Sequence, residues 1–219
     1  MIQLVHMIGV LGGSFDPIHF GHINPLNELS ELIKFSEIRL IPTYISPVNK
    51  SFHADENHRY NMVSIISSSG ENNFVADKSE IIKKGISYSY ETIKNIKKER
   101  NNEDICLIMG LDVFLNIESW YNYEGIIKDV SIIVINRPNF DTKSIESMSS
   151  EILDKTTSDF KLFMSNKEKN IFIYETASYN ISSTDIRNAI SKKESVKGKI
   201  PGSIMSYIKR NKLYLEDYE

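Results

Sequence analysis

Apolar residues along this chain gather into short runs of Ile, Val, Leu and Met that alternate with longer amphipathic stretches. The runs near 7–11, 38–42, 73–76, 105–109, 130–135 and 171–174 are strand length. The stretches near 24–34, 56–69, 90–100, 112–127 and 184–192 show helical spacing, the first of them beginning near Pro25. Short continuous apolar strands separated by helices predict an α/β fold in which a parallel sheet is covered on both faces. Ligands in such sheets bind beyond the carboxyl ends of the strands. Between Asp141 and Lys169, Ser, Thr, Lys and Glu dominate, and the residues suited to burial are Ile152, Leu153, Phe160, Leu162, Phe163 and Met164. That segment predicts a surface excursion with one helix and no chemistry. No internal repeat or low-complexity tract interrupts the pattern.

Composition narrows the picture. A chain of 219 residues with 41% hydrophobic content can bury a proper core as a single domain spanning 1–219. Its formal charge of -3 gives no general attraction to nucleic acid or to an anionic membrane, so anion binding would have to be local. The lone cysteine, Cys106, excludes an internal disulfide and sits in the apolar run Ile105 to Met109, where a small buried hydrophobe is expected. Runs such as Val130 to Ile135 are too short to span a bilayer, and no leader is evident, so a cytoplasmic location is expected.

Candidate chemistry begins after the first strand, in Gly12-Gly13-Ser14-Phe15-Asp16-Pro17-Ile18-His19-Phe20-Gly21-His22. Two glycines let a ligand approach the backbone, and a helix start just beyond presents N–H groups to an anion. The spacing fits neither the dinucleotide turn nor the P-loop. It leaves His19-x-Gly21-His22, two imidazoles able to donate to phosphate oxygens, although a histidine near a helix start also serves as a cap. Ile181-Ser182-Ser183-Thr184-Asp185-Ile186-Arg187 reads as a capped helix start, with two free hydroxyls and Arg187 one turn later, a second anion cradle. Other polar residues fall after strands too: Thr43 to Lys50 after the second, Gly110 and Asp112 after the fourth, and Arg137 after the fifth.

The glycine-histidine block resembles the signature of the nucleotidylyltransferase superfamily, in particular bacterial nicotinate-nucleotide adenylyltransferases. The blocks Ser87-Tyr88-Ser89-Tyr90-Glu91-Thr92, Met109-Gly110-Leu111-Asp112, Trp120-Tyr121-Asn122-Tyr123, Asn136-Arg137-Pro138 and Ile181 to Arg187 are similar to family blocks and stand in the family's order. The resemblance implies a Rossmann-like, doubly wound parallel sheet of nucleotidylyltransferase type, with a helical subregion at about 180–219 packed on it. It also implies a basic solvent loop from Lys192 to Lys199, followed by a final helix at about Gly202 to Arg210. The implied reaction is transfer of the adenylyl group of ATP to nicotinate mononucleotide, giving deamido-NAD and pyrophosphate. The incoming phosphate is already an anion, so the site needs donors and cations rather than a base.

On that resemblance His22, His19, Lys50 and Arg187 carry the chemistry. Gly12, Gly13, Ser14, Phe15, Gly110, Asp112, Arg137, Ile181, Ser183 and Thr184 join the histidines and Arg187 around ATP. Thr43, Lys50, Tyr88, Thr92, Asp112, Trp120 and Tyr121 meet the second substrate. Trp120 would stack on the pyridine, although Trp-Tyr-x-Tyr on a helix also reads as core packing. Thr92 would meet the nicotinate carboxylate, and Asp112 a ribose hydroxyl unless it is only a helix cap. Mg²⁺ would arrive with ATP, since no carboxylate cluster is built to hold a resident metal. Nucleic acid and membrane are not expected partners, and a homo-oligomer is allowed.

The chain departs from the family at Pro47-Val48-Asn49-Lys50, where a histidine normally follows the proline, so either Lys50 reaches the phosphates or His53 shares the task. His58 and Arg59 suit a structural or a functional role, and His6, ahead of the first strand, is expected to do nothing catalytic. Two rival functions remain: the same transfer to nicotinamide mononucleotide, and a catalytically silent nucleotide sensor.

Overall fold

The computed structural model describes residues 7–48, 51–70, 72–101, 103–136, 142–177 and 179–215. Seven strands form one parallel sheet: β1 (Met7–Gly13), β2 (Phe35–Pro42), β3 (Phe74–Ala76), β4 (Asp104–Gly110), β5 (Ser131–Asn136), β6 (Thr156–Thr157) and β7 (Ile171–Glu175). Their order is β3-β2-β1-β4-β5-β7-β6, so the chain builds outward one way from β1 and then turns back to add β4 on its other side. This is the expected doubly wound arrangement, and a sheet that reverses in this way opens its crevice at the carboxyl ends of the strands. Six of the seven strands match apolar runs of the sequence. β6, at two residues, is too short to carry a periodic signal.

The helices are α1 (Phe20–Leu32), α2 (Glu56–Ser67), α3 (Ser79–Lys83), α4 (Ser89–Glu99), α5 (Leu111–Phe114), α6 (Tyr123–Asp129), α7 (Ser150–Lys155), α8 (Phe160–Ser165), α9 (Ser183–Ser191) and α10 (Gly202–Arg210). Contacts divide the chain into two compact units. One holds residues 1–12, 34–38 and 88–178, the other residues 13–33, 39–87 and 179–219.

In the first unit β4 is the spine. Ile105, Cys106, Leu107, Ile108 and Met109 are all buried, as a strand covered on both faces requires. Burial pushes the Cys106 thiol well above its ordinary range, so it acts as a small hydrophobe. β1 pairs with β4 through Gly9 opposite Cys106. A Cβ on Gly9 would lie 3.1 Å from Ile38 Cγ1, 3.2 Å from Ile108 Cδ1 and 3.3 Å from Phe35 Cδ1, so the strand is glycine there to let its neighbours close.

Three expectations change. The pattern over 112–127 is not one helix: α5 ends at Phe114, a 3₁₀ turn covers Ile117–Ser119, and α6 starts at Tyr123 after Asn122 in the left-handed region (φ 52, ψ 47). Side chains compete with the backbone there, as Asn116 Nδ2 donates to the Asp112 carbonyl at 2.9 Å and Ser119 Oγ to the Asn116 carbonyl at 2.7 Å. The segment from 142 onward is richer than one helix, with a 3₁₀ turn (Thr142–Ser147), α7, β6 and α8. It is pinned by Ile145, Met148, Ile152 and Phe163, while Leu153 and Leu162 stay exposed. Finally, α1 begins at Phe20, and Pro25 lies inside it.

In the second unit, α2 and α10 join through Tyr207, whose hydroxyl accepts from Asn61 Nδ2 at 3.0 Å and lies 2.9 Å from His58 Nδ1. This places His58 in a helix-to-helix contact. Arg39 and Asp77 form a nearly buried ion pair at 3.1 Å.

Gly9→Val should lower stability by about 1–3 kcal/mol, the usual cost of overpacking a filled interior. Urea unfolding of the two proteins measures it, and an unchanged midpoint would show that the β1 contact yields freely.

Candidate active site

The His19-x-Gly21-His22 turn lies in the second unit and forms the first turn of α1 itself. His19 is the N-cap, with extended backbone (φ -151, ψ 172), and is 4% exposed. Its backbone N–H donates to His22 Nδ1 at 3.3 Å. A backbone N–H can only donate, so Nδ1 is the lone-pair nitrogen of His22, and the neutral ring carries its proton on Nε2. The two imidazoles stack at 3.7 Å between centroids, and Phe15 meets His22 edge-on at 5.2 Å. The helix therefore starts five residues before Pro25: an imidazole pair caps it where the sequence pattern pointed to the proline.

Gly21 is explained by the same packing. A Cβ there would lie 2.9 Å from His19 Cε1 and Nδ1 and 3.0 Å from the Ile181 carbonyl oxygen. The bare glycine thus brings the segment before α9 against the histidine turn. Gly12, at the end of β1, is exposed, and a Cβ on it would meet nothing within 4 Å. The Gly13 carbonyl accepts from the Thr43 N–H at 2.9 Å, which joins the turn to the loop after β2.

α9 supplies the rest of this cluster. Ser182 is its N-cap: the hydroxyl accepts from the Asp185 N–H at 3.1 Å and donates to the Asp185 carboxylate at 2.7 Å. Ser183 Oγ donates to the Pro17 carbonyl at 3.1 Å. Arg187 Nη1 donates to the Asp16 carbonyl at 2.7 Å, and its Nη2 to Thr184 Oγ1 at 3.2 Å. The Ser183 and Thr184 hydroxyls are therefore engaged rather than free, because they stitch α9 to the turn and hold Arg187. Thr184 stays exposed, and the first-turn N–H groups of α9 are the donors that a helix start presents to an anion.

Asp16, to which sequence reasoning gave no role, and Arg59, read as structural or functional, organise this cluster. Asp16 is 2% exposed, and its carboxylate accepts from the His53 N–H at 2.7 Å, the Ala54 N–H at 3.1 Å and the Tyr214 hydroxyl at 2.7 Å. Arg59 is 1% exposed and donates to the Ser14 carbonyl at 3.0 Å and the Ala54 carbonyl at 3.2 Å, with its guanidinium 4.0 Å over the Phe52 ring. Burial pulls Arg59 below its ordinary value, and the charge of Asp16 is the largest influence pushing back. Asp16 stands inside the Gly12–His22 turn, which also holds Ser14 and His19, so the sequence carried no separate signal for its burial. The sequence offered none for Tyr214. His53 contributes its backbone, and its side chain is 60% exposed with Nδ1 3.7 Å from Asp16. Lys50 and Arg137 lie outside the described residues, as does His6.

The first unit carries the middle blocks. Gly110 ends β4 and is the N-cap of α5, so Asp112 falls in the first helical turn and is not the cap. Its carboxylate folds back, with Oδ1 2.6 Å from where a Cβ on Gly110 would stand, so a side chain there would make the exposed carboxylate swing aside. Tyr88 is the N-cap of α4, and Thr92 in the next turn is 9% exposed, its hydroxyl donating to the Tyr88 carbonyl at 3.3 Å. Trp120 does not stand on a helix: it follows the 3₁₀ turn and is half-buried. Tyr121 beside it is 54% exposed, with its ring 4.8 Å from Tyr88 and 6.2 Å from Tyr90. Among the described residues no group of three His, Cys, Asp or Glu side chains could hold a metal ion.

A doubly wound sheet with stacked imidazoles at the first helix start, and a cation held at a second helix start, defines a nucleotidyltransferase class of site. The model of the cytidylyltransferase-like family matches residues 10–189, and the chain belongs to that family. It is 33% identical over 206 residues to a probable nicotinate-nucleotide adenylyltransferase of Clostridium tetani, covering 94% of this chain and 97% of the relative. It is 30% identical over 208 residues to the protein of the same description from Methylococcus capsulatus, covering 95% and 99%. Among solved structures it resembles the Plasmodium falciparum nicotinic acid mononucleotide adenylyltransferase complexed with NaAD, at a TM-score of 0.72 and 23% identity over 95% of this chain and 97% of that one. That likeness supports the fold.

Gly21→Ala sets two effects against each other. Helix propensity favours alanine by about 1 kcal/mol, while contacts at 2.9–3.0 Å carry an overpacking cost of about 1–3 kcal/mol. The clash should win, giving a net loss in urea unfolding. Gly202→Ala, at a helical position with nothing within 4 Å, should be neutral or stabilising. Equal behaviour of the two variants would remove the packing explanation for Gly21.

Proposed function

We propose that this chain transfers the adenylyl group of ATP to nicotinate mononucleotide, releasing pyrophosphate and forming deamido-NAD. The observation that carries the reading is the cluster of His19, His22 and Arg187 at two helix starts, in a chain matched nearly end to end by relatives described as nicotinate-nucleotide adenylyltransferases.

The chemistry follows from charge. A phosphate oxygen of nicotinate mononucleotide attacks the α-phosphorus of ATP; a new P–O bond forms there while the bond to the β-phosphate oxygen breaks, and pyrophosphate leaves with the electron pair. The nucleophile is already anionic, so no base is needed. The protein's work is to hold two anions together, align them and stabilise the charge growing on the leaving group. In this reading Nε2–H of His22 donates to a phosphate oxygen. Its orientation is set by the Nδ1 contact with the His19 N–H and by stacking on His19. Arg187, held by the Asp16 carbonyl and Thr184, presents positive charge beside the N–H groups of α9. Gly12, Gly13, Ser14, Phe15, Gly110, Asp112, Arg137, Ile181 and Ser183 complete the ATP contacts. Thr43, Lys50, Tyr88, Thr92, Asp112, Trp120 and Tyr121 receive the mononucleotide, with the exposed Tyr121 and half-buried Trp120 offering aromatic faces to the pyridine.

Enzymes of this kind generally use a divalent metal with ATP. We assign Mg²⁺ to the bound ATP as part of the substrate, where it offsets phosphate charge. No helix among the described residues is long and apolar enough to cross a membrane. A cytoplasmic enzyme that neither binds nucleic acid nor docks on membranes, and that is free to form a homo-oligomer, fits the charge of -3.

Pyrophosphate release from ATP and Mg²⁺ tests the reading, with nicotinate and nicotinamide mononucleotides compared. We expect kcat/KM to favour the acid at least tenfold, about 1.4 kcal/mol; preference for the amide moves the substrate, and no release with either leaves a nucleotide sensor. His22→Ala should lower kcat by about 10²–10³-fold, the usual loss of one charge-stabilising donor. Near-normal turnover would remove His22 from the chemistry.

A further inference from the structure

Tyr214 stands far along the sequence from the glycine-histidine motif, in the short segment after α10, and its surroundings single it out. The segment is shallow, with Lys212 and Leu215 exposed and Leu213 and Tyr214 half-buried. Tyr214 nevertheless adopts φ 60, a left-handed conformation that a bulky residue enters at a cost. The outcome of that strained turn is one contact: the hydroxyl donates to Asp16 Oδ1 at 2.7 Å. Burial, followed by the charge of Asp16, pushes the Tyr214 hydroxyl far above its usual value, so it keeps its proton and remains a donor at any working pH.

Asp16 faces two ways. Its carboxylate takes Tyr214 together with the backbone N–H groups of His53 and Ala54. Its carbonyl takes Arg187 Nη1 at 2.7 Å. Tyr214 is the only side-chain hydroxyl among the hydrogen-bond donors to that carboxylate in the described residues, and the other two donors are main chain on one loop. Without it the turn loses the anchor that ties Asp16 to the segment after α10, and the backbone whose carbonyl seats Arg187 is held from one side only.

We infer that Tyr214 is a positioning residue for the nucleotide site, acting through Asp16 to fix Arg187 and the turn that carries His19 and His22. The inference rests on the adenylyl-transfer reading. It assigns to the segment after α10 a part in ATP handling, and none in recognition of the pyridine.

The test uses the full chain with Tyr214→Phe, which removes only the hydroxyl, and Leu215→Ala as a control in the same segment. Tyr214→Phe should lower kcat/KM for ATP about tenfold, the scale expected when a charged group loses its alignment. KM for nicotinate mononucleotide should stay within about twofold, and Leu215→Ala should match the parent in both. In an Arg187→Lys background the Tyr214→Phe change should cost less than about threefold, because both act on one guanidinium position. Unchanged kcat/KM for ATP, equal shifts for both substrates, an equal loss in Leu215→Ala, or full additivity with Arg187→Lys would each overturn the inference. If the parent chain releases no pyrophosphate, the transfer reading fails separately. ATP dissociation constants by calorimetry then decide: a tenfold weakening in Tyr214→Phe sustains the positioning role, and equal affinity overturns it.

Discussion

A carboxylate withdrawn from water must be met by hydrogen bonds or by charge, and Asp16, 2% exposed, draws its donors from distant parts of the chain. The loop before α2 turns in to offer two N–H groups, and the segment after α10 turns in to offer a hydroxyl. Arg59 is buried beside it and ties down the Ser14 and Ala54 carbonyls, and the charge of the same acid is the largest influence opposing the effect of its burial. Around one buried negative charge the turn after β1 acquires a fixed shape. Its backbone then meets the site groups, the His19 N–H holding His22 Nδ1 and the Asp16 carbonyl holding Arg187.

Close approach is the second device. Gly9 lets β1 settle among Ile38, Ile108 and Phe35, while Gly21 lets the histidine turn meet the segment that leads into α9. Gly110 leaves room for Asp112 to fold back over it. At Gly9 and Gly21 the missing methyl admits a close neighbour, so small residues there are a packing requirement rather than a source of looseness.

Much of the fold could be read from the sequence, because buried parallel strands are written as continuous runs of Ile, Val and Leu, and β1, β4 and β5 announce themselves that way. β6 could not, since two threonines hold no period, and the interruption between α5 and α6 was hidden because Asn116 and Ser119 act through local hydrogen bonds and Asn122 through a left-handed backbone, all of which leave the apolar spacing intact. The site divides similarly. His19, His22 and Arg187 were legible as residue types suited to phosphate, at helix starts that capping rules could find. Asp16 and Tyr214 were not, because their pairing joins positions 198 apart and no spacing rule spans that distance.

That separation also sets an order of events during synthesis. At about 5–20 residues per second, roughly 10–40 seconds pass between the making of Asp16 and the making of Tyr214. Through that interval the acid, the glycine turn and the histidines are present, while the hydroxyl and Arg187 are still to come. Arg59 and the N–H groups of His53 and Ala54 can meet the acid early in that interval, so the Tyr214 hydroxyl is the last of its partners to arrive and the turn is completed only when the segment after α10 is made.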